Sequence, residues 1–306
     1  MLKRIFFQIA LLFTLSGILF ACQPDDKPKD DSYVVILSLD AFRWDYSDIV
    51  STPTLNSMAE QGVKAQALIP CYPSKTFPNH YSIATGLHPD NHGIVCNRFY
   101  DKELGYYSIG DRNAVENPAF YGGEPIWLTA ERQGLKAATF FWVGSEAPIG
   151  GSYPSHWKPY DEKVSFESRI DTVIGWLSLP QEIRPRLIAW YYHEPDWTAH
   201  RDGATGAKTL ALVEQLDSLL GIFIEKLREL PYADKINFIV VSDHGMADIS
   251  PERYINLSEY VDKDWFDYIT GGNPVYSLQP KEEFKQKALE SLRSIENLKV
   301  WERHEI

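Results

Sequence analysis

The sequence has little positive charge. Its 306 residues include 30 lysines and arginines against 42 aspartates and glutamates, which gives a formal net charge of −12. Lysine and arginine do not cluster in any stretch, so the composition argues against duplex nucleic acid held along a basic face. An acidic protein that handles an anionic phosphate needs a local source of positive charge, and metal ions are the obvious candidate.

Long hydrophobic runs are also missing, apart from one near the N-terminus. Two basic residues precede an apolar run at 5–20, which is short for a membrane span and typical of a signal peptide. Residues 1–22 are therefore predicted to be a signal peptide whose Cys22 resembles a bacterial lipoprotein site, and residues 23–31 a polar tether. An ordinary secretory signal and an uncleaved anchor stay open. We expect export, with a lipid on Cys22 holding the chain at the membrane, on the periplasmic side or at the outer membrane of a bacterium.

Cysteine is scarce as well, because only Cys71 and Cys96 accompany Cys22. Export makes a disulfide between Cys71 and Cys96 possible. Two free, half-buried thiols are the interpretation that we favour.

Sequence signatures of several other enzyme classes are absent. The chain has no internal repeat and no G-x-S-x-G turn of the kind that carries a nucleophilic serine. The segment at 203–209 superficially resembles a phosphate-binding P-loop, but Ala207 precedes Lys208 and no strand leads into the segment. The candidate catalytic and binding residues are therefore carboxylates, histidines and a hydroxyl elsewhere in the chain.

Apolar runs that alternate with helical patterns determine the predicted fold class. The runs at 33–39, 187–192 and 236–241 are continuously apolar, which is typical of strands buried on both faces of a parallel sheet. The fold class is therefore α/β, with a mainly parallel central sheet and helices on both faces. Residues 100–124 are predicted to be an irregular surface insert. Further strands are predicted at 63–68, 94–96, 137–143 and 298–301, and helices at 53–61, 127–133, 166–178, 206–230 and 284–294.

Polar side chains follow the predicted central strands. Asp40 comes directly after the first strand, and Asp243 and His244 follow another. Asp196 and His200 follow a third strand and are four residues apart, so one helical turn would point both side chains the same way. The C-terminal ends of parallel strands lie on one edge of the sheet, where open α/β sheets bind ligands. The alternative for Asp40 is that it only starts a turn.

The stretch around Thr76 supplies a hydroxyl. Pro78 has its φ already set for the first turn of a helix, and a short helix is predicted to end at Gly86. Thr76 then lies just before a helix N-terminus, where free N–H groups and the helix dipole favour an oxyanion or a phosphate. The alternative is that Thr76 only caps the helix. His88 and His92 lie in the polar loop that follows and are interpreted as loop hydrogen bonders.

Together these residues predict a two-metal phosphoryl site. Three carboxylates, two histidines and a hydroxyl on one edge would be a costly cluster without cations. Two divalent ions about 4 Å apart would neutralise the cluster and hold a phosphoryl group. Coordination would also activate the Thr76 hydroxyl as a nucleophile at neutral pH. Mixed nitrogen and oxygen ligands favour zinc, with manganese and iron as alternatives.

Short segments spread along the chain carry a resemblance to a known enzyme family. Together they are highly specific, and they span roughly residues 32–246. On these segments the chain resembles the nucleotide pyrophosphatase/phosphodiesterases of the alkaline-phosphatase superfamily. The segments are SLD at 38–40, TFPNHY at 76–81, TG at 85–86 with NHGIV at 91–95, EPD at 194–196 with His200, and SDHG at 242–245.

The resemblance implies an alkaline-phosphatase-like fold, two zinc ions and a covalent mechanism. Thr76 would be the nucleophile and would carry a nucleotidyl intermediate. The ligands of the first zinc ion would be Asp40, Thr76, Asp243 and His244. The ligands of the second would be Asp196 and His200.

The resemblance also implies a substrate class. The family cleaves nucleotide phosphodiesters and pyrophosphates and releases a nucleoside monophosphate. Asn97 would orient the phosphate, and Phe77 and Tyr160 would stack on the nucleobase.

One departure from the family pattern concerns the second zinc ion. The family supplies a third protein ligand from a Gly-x-His-Gly segment nearer the C-terminus, which this sequence lacks. We therefore expect residues 32–306 to be a phosphodiesterase catalytic domain whose C-terminal part is missing, with residues 248–306 partly a cap or insert. Two alternatives stay open. The chain is a lipoprotein that only binds metal or nucleotide, or it hydrolyses another phosphodiester such as a glycerophospho-alcohol.

Overall fold

The computed structural model describes residues 32–305. The predicted signal peptide with Cys22 and the predicted tether at 23–31 lie outside the described residues. Within the described part of the chain, no helix is both long enough and apolar enough to cross a membrane.

A parallel five-stranded sheet organises the molecule and confirms the predicted fold class. Its strand order is β5-β4-β6-β1-β7, and every neighbouring pair is parallel. Strand β1 therefore lies between β6 and β7, and the three apolar runs found in the sequence are adjacent in space. The five strands are β1 (Tyr33–Leu39), β4 (Ala137–Phe140), β5 (His156–Lys158), β6 (Leu187–Tyr192) and β7 (Ile236–Val241). Two separate antiparallel hairpins contain β2 (Arg98–Asp101) with β3 (Gly105–Ser108), and β8 (Phe266–Gly272) with β9 (Val275–Pro280).

Helices cover both faces of the sheet, as predicted. Val35, Leu37 and Leu39 of β1 are fully buried in one core, together with apolar residues of α7 and α9. Val34 and Ile36 face the opposite core, which α3 and α6 complete. The helices are α1 (Tyr46–Ile49), α2 (Pro53–Gln61), α3 (Thr76–Thr85), α4 (Pro89–His92), α5 (Arg112–Val115), α6 (Ile126–Arg132), α7 (Phe166–Leu177), α8 (Asp196–Asp202), α9 (Ala207–Arg228) and α10 (Lys285–Arg293).

Three short strand predictions are wrong. Residues 63–68 form no strand, and Val63 is 98% exposed because no neighbouring strand covers it. Residues 94–96 are a turn, in which the N–H of Val95 donates to the carbonyl of Gly93. Residues 298–301 are also irregular. Short apolar runs form strands only where a partner strand is available, so propensity alone misplaces them.

The prediction of an irregular surface insert at 100–124 is also wrong. Most of hairpin β2–β3 and helix α5 fall in this segment, and Tyr107, Val115 and Tyr121 are buried in the second core. The two tyrosine hydroxyls lie 2.8 Å apart, and that of Tyr121 also donates to the carbonyl of Val115. A buried tyrosine needs such a partner. Although residues 100–124 are polar in composition, part of the segment is packed into the second core.

The C-terminal part of the described chain has a small core of its own. Hairpin β8–β9 and α10 bury Phe266, Ala288 and Leu292 together. The ring of Tyr268 on β8 stacks on that of Tyr100 on β2, with centroids 3.7 Å apart. Hairpin β8–β9 therefore packs against hairpin β2–β3.

Candidate metal and phosphoryl-transfer site

The candidate site lies where β1, β6 and β7 end. The register pairs Leu39 with Tyr192 and Ser38 with Val241, so the residues that follow these strands emerge side by side. The N–H of Asp40 donates to the carbonyl of Tyr192 at 3.0 Å, and that of Asp196 donates to the carbonyl of Asp40 at 3.1 Å. Backbone hydrogen bonds therefore connect the segment of Asp40 with the segment of Asp196.

Asp40, Asp243 and His244 form what we call the three-ligand cluster. One ligand atom from each of them lies within 4.8 Å of the others. The Nε2 atom of His244 is 3.4 Å from Oδ1 of Asp40 and 3.2 Å from Oδ2 of Asp243. Both aspartates are 2% exposed, so their negative charges lie away from water. Nitrogen and carboxylate ligands in this number are typical of zinc sites.

The tautomer of His244 makes its Nε2 atom available as a ligand. Nδ1 lies 2.8 Å from the carbonyl oxygen of Gly245, which can only accept a hydrogen bond. Nδ1 therefore carries a proton, and Nε2 is the nitrogen left to bind a cation held between the carboxylates. A backbone carbonyl that fixes a histidine in this way is the usual outer support of a metal ligand.

The two carboxylates of the cluster each keep one uncommitted oxygen. Within residues 32–305, Oδ1 of Asp40 and Oδ2 of Asp243 are buried and accept no well-aligned hydrogen bond, although His80 Nδ1 and His244 Nε2 lie 3.3 Å and 3.2 Å from Oδ2 of Asp243. The other oxygens are occupied, because Tyr191 donates its hydroxyl to Oδ2 of Asp40 at 2.6 Å and Ala41 donates its N–H to Oδ1 of Asp243 at 3.3 Å. Buried polar atoms without partners are rare. Two such oxygens within 3.4 Å of the His244 Nε2 atom fit a divalent cation.

The electrostatics of the cluster also favour a cation. Burial raises the pKa of Asp40 well above its ordinary value, and the charges of Asp243 and Asp196 raise it further. Burial acts in the same direction on Asp243, but interactions with His80 and His244 outweigh it and lower the pKa of Asp243. A bound cation would offset the burial and repulsion that raise this pKa, and would favour the ionised carboxylate of Asp40.

Thr76 is the first residue of α3, and Lys75 occupies the cap position. Thr76 therefore lies inside the helix, one position later than the predicted place just before it, and is not the N-cap residue. The Oγ1 atom of Thr76 lies 3.4 Å from Nε2 of His244, at the open side of the three-ligand cluster. The helix is longer than predicted and ends at Gly86, whose φ of 69° is the left-handed conformation that glycine adopts easily. The hydroxyl, the helix N-terminus and the cluster therefore converge.

Asn97 is oriented by a hydrogen bond to its side-chain oxygen, and among residues 32–305 its NH₂ group has no acceptor. Its side-chain oxygen accepts the N–H of Phe77 at 2.9 Å, and the residue is half-buried. Because the oxygen is occupied, the NH₂ group is the end of the side chain that can bind an anion. The bond also places Asn97 beside the residue that follows Thr76.

Asp196 and His200 form a second, more exposed pair. The Nε2 atom of His200 is 3.4 Å from Oδ1 of Asp196, but the His200 side chain is 67% exposed. Within residues 32–305, no third carboxylate, histidine or cysteine completes a ligand group with this pair. Burial raises the pKa of Asp196, and its charge acts on Asp40. The pair therefore adjoins the three-ligand cluster but offers fewer ligands.

The two predicted base-stacking residues lie near the cluster. Phe77 follows Thr76 directly, and its ring meets the edge of Tyr107 at 6.3 Å. Tyr160 contacts the ring of Tyr191 at 6.4 Å, and Tyr191 in turn donates to Asp40. Burial raises the pKa of Tyr160 to about 12, so its ring is neutral near pH 7. Phe77 is thus next to Thr76 along the chain, and Tyr160 is linked to Asp40 through Tyr191.

Sequence reasoning assigned no role to Tyr191 or His80. Tyr191 lies inside an apolar strand, where its aromatic ring suggested only core packing. His80 follows Thr76 by one helical turn, and that spacing was the available signal. His92, by contrast, forms hydrogen bonds as predicted, with Ser82 and the N–H of Ile94, but it ends helix α4 instead of lying in a loop. Cys71 and Cys96 are half-buried free thiols.

Comparison with known proteins identifies the class to which this fold and site belong. A family model described as type I phosphodiesterase / nucleotide pyrophosphatase matches residues 34–306. The venom phosphodiesterase CdcPDE of Crotalus durissus collilineatus is 40% identical over 242 residues, which are 78% of this chain and 29% of that protein. Human ectonucleotide pyrophosphatase/phosphodiesterase family member 1 is 40% identical over 230 residues, which are 74% of this chain and 25% of that protein.

A solved structure matches the architecture. Murine ectonucleotide pyrophosphatase/phosphodiesterase 5, in an inactive threonine-to-alanine form in complex with AMP, has a TM-score of 0.84 and 33% identity. The match covers 90% of this chain and 74% of that chain. The fold is thus of the alkaline-phosphatase-like superfamily. The chain belongs to the type I phosphodiesterase/nucleotide pyrophosphatase family, and it spans less than a third of the length of the two curated relatives above.

Proposed function

We propose that this chain hydrolyses nucleotide phosphodiester or pyrophosphate bonds with Thr76 as the nucleophile and releases a nucleoside monophosphate. The observation that carries the proposal is the position of the Thr76 hydroxyl, 3.4 Å from Nε2 of His244 at the three-ligand cluster. Family membership supports the reaction class.

The roles of the polar side chains follow from their positions. The Thr76 oxygen attacks phosphorus and forms a nucleotidyl ester, while the bond to the leaving oxygen breaks and the hydroxyl proton passes to the leaving oxygen or to water. Water then cleaves the ester, releases the nucleoside monophosphate and restores the hydroxyl. The Asn97 amide donates to a phosphate oxygen, because its carbonyl is already bonded to Phe77. The N-terminus of α3 adds backbone N–H groups on the same side.

The metal requirement is part of the proposal. Asp40, Asp243 and His244 would hold one zinc ion, and Asp196 and His200 would contribute to a second. Bound zinc would supply positive charge for the phosphoryl oxygens and lower the pKa of the Thr76 hydroxyl. The uncommitted oxygens of Asp40 and Asp243 support this assignment.

A nucleotide is the proposed substrate because two aromatic side chains adjoin the phosphoryl site. Phe77 and Tyr160 would stack on the base, and the murine structural neighbour, which was solved in complex with AMP, supports a nucleotide. The alternative is another phosphodiester, such as a glycerophospho-alcohol, which would leave both rings unused. Competition by AMP separates these alternatives, because only a nucleotide site binds it.

The experiment replaces Thr76 and measures hydrolysis of a nucleotide diester by the zinc-loaded chain. Thr76→Ala should reduce kcat by a factor on the order of a thousand or more, because the attacking atom is lost. Thr85→Ala is the matched control, since this threonine lies in the same helix and bonds only local backbone groups. Thr76→Ala should still retain zinc through Asp40, Asp243 and His244, and its unfolding temperature should match that of the wild type. Turnover near the wild-type rate in Thr76→Ala would contradict the proposed function.

A further inference from the structure

His80 occupies a position that touches three segments of the site. It is fully buried on α3, one turn after Thr76. Its Nδ1 atom lies 2.8 Å from the carbonyl oxygen of Thr76 and 3.3 Å from Oδ2 of Asp243. Its Nε2 atom lies 2.9 Å from Oγ of Ser38, two residues before Asp40. One imidazole therefore contacts the nucleophile helix, the end of β7 and the end of β1.

The direction of these contacts follows from the chemistry of the partners. The carbonyl of Thr76 and the carboxylate of Asp243 can only accept hydrogen bonds, so Nδ1 of His80 carries a proton. The Ser38 hydroxyl can serve the opposite nitrogen as donor or acceptor. His80 thus presents an N–H to the region between Thr76 and Asp243 while Ser38 anchors the far side of the ring.

Packing fixes the orientation of the ring. The rings of Trp142 and Tyr191 meet the imidazole edge-on, with centroids 5.3 Å and 5.0 Å away. The indole N–H of Trp142 also donates to the carbonyl of His80 at 3.0 Å. An imidazole enclosed in this way cannot rotate without moving its neighbours.

We propose that His80 is a positioning residue for the metal site, and this inference rests on the proposed function. It holds the Asp243 carboxylate and the first turn of α3 at a fixed separation, so that Oδ2 of Asp243 stays aimed at the cation. Its anchor at Ser38 ties the same arrangement to β1, which carries Asp40. Partners of metal ligands commonly contribute to affinity in this way.

His92 provides a matched comparison within the same core. It is also fully buried, but its ring contacts Ser82 and the N–H of Ile94 and none of the three ligands. A purely structural role for His80 predicts that replacing either histidine lowers stability and leaves zinc affinity unchanged. A positioning role predicts that only replacement of His80 lowers zinc affinity.

The test measures zinc affinity by competition with a chromophoric chelator, using the full 306-residue chain and the metal alone. Thermal unfolding of the zinc-free chain is measured in parallel. The variants are His80→Ala, His80→Asn, His80→Gln, Ser38→Ala and the control His92→Ala. An asparagine amide reaches the position of Nδ1 of a histidine, whereas a glutamine amide reaches the position of Nε2. The two amides therefore separate the two sides of the ring.

We expect His80→Ala and His80→Gln to weaken tight zinc binding by about 10- to 100-fold, the usual effect of removing an outer partner of a ligand. His80→Asn should recover most of the affinity, because it restores an N–H toward Asp243. Ser38→Ala leaves the imidazole in place and should give a smaller loss. His92→Ala should lower the unfolding temperature without changing zinc affinity.

Wild-type zinc affinity in both His80→Gln and Ser38→Ala would overturn the inference while leaving the proposed function intact. Equal losses of zinc affinity in His80→Asn and His80→Gln would overturn it as well, because the Nδ1 side would then be irrelevant. A wild-type chain that binds no zinc would overturn both this inference and the proposed function.

Discussion

The three-ligand cluster and the Asp196/His200 pair lie side by side at one edge of the sheet, but they differ in burial and in ligand number. Asp40 and Asp243 are each 2% exposed, whereas the His200 side chain is 67% exposed. The cluster also has two buried oxygens that accept no well-aligned hydrogen bond among the described residues, and the pair has none.

The three-ligand cluster is therefore a preformed site, whereas the side chains of the Asp196/His200 pair become ordered only when an ion binds. In the cluster, the chain has already immobilised its ligands through Tyr191, Ala41 and Gly245. An exposed histidine loses side-chain freedom when it binds a metal, and that loss reduces the affinity. Neighbouring sites on one sheet edge can therefore bind the same ion with very different strength.

Removing one ligand from each site is expected to give the largest effect. Asp243→Asn keeps the side-chain volume but removes a charged ligand, so tight zinc binding should weaken by more than about 100-fold. That loss exceeds the largest loss of affinity usually caused by removing a hydrogen-bond partner of a metal ligand, which is about 100-fold. His200→Ala should leave tight binding unchanged and abolish only the weaker event. Isothermal titration with zinc measures both. Loss of the tight event in His200→Ala would show that the two sites are coupled.

The base-stacking side of the site should give the next largest effect. A stacked base is worth about 1–3 kcal/mol, so Phe77→Ala should raise KM for a nucleotide diester roughly tenfold or more. A small aryl phosphodiester has no base, and its KM should change little. Initial rates on the two substrates provide the measurement. Equal increases in both KM values would show that Phe77 is structural.

A smaller effect is expected from the hydroxyl that supports Asp40. Tyr191→Phe removes a 2.6 Å hydrogen bond and keeps the ring, so tight zinc binding should weaken about tenfold. Tyr107→Phe is the control, because its hydroxyl is also buried but bonds only that of Tyr121. Chelator competition on both variants separates support of the metal from burial of a hydroxyl. Unchanged zinc affinity in Tyr191→Phe would show that the cluster needs no such support.

Much of this arrangement was predictable, because it follows from the parallel topology of the sheet. The apolar runs at 187–192 and 236–241 are strands with the predicted bounds, and a parallel sheet must bring their C-terminal ends to one edge. That rule places Asp40 and Asp243 on the same edge, whereas the strand order that makes β1 and β7 neighbours is seen only in the structure.

The rest depended on contacts that sequence spacing does not encode. The bond from Tyr191 to Asp40 joins residues 151 positions apart, and the exposure of His200 depends on what covers α8. Residues 63–68 have an apolar pattern but no partner strand, and residues 100–124 have a polar composition but a buried layer. Each of these features depends on contacts between distant parts of the chain, which a single sequence does not show.

The most direct test of this account is the zinc content of the purified chain after dialysis against a weak chelator. Preformed ligands predict one tightly held zinc per chain and a second that dissociates readily, since the Asp196/His200 pair supplies only two ligands. The retained zinc should disappear in Asp243→Asn and persist in His200→Ala. Two zinc ions held with equal affinity, or none retained by the wild-type chain, would contradict the account.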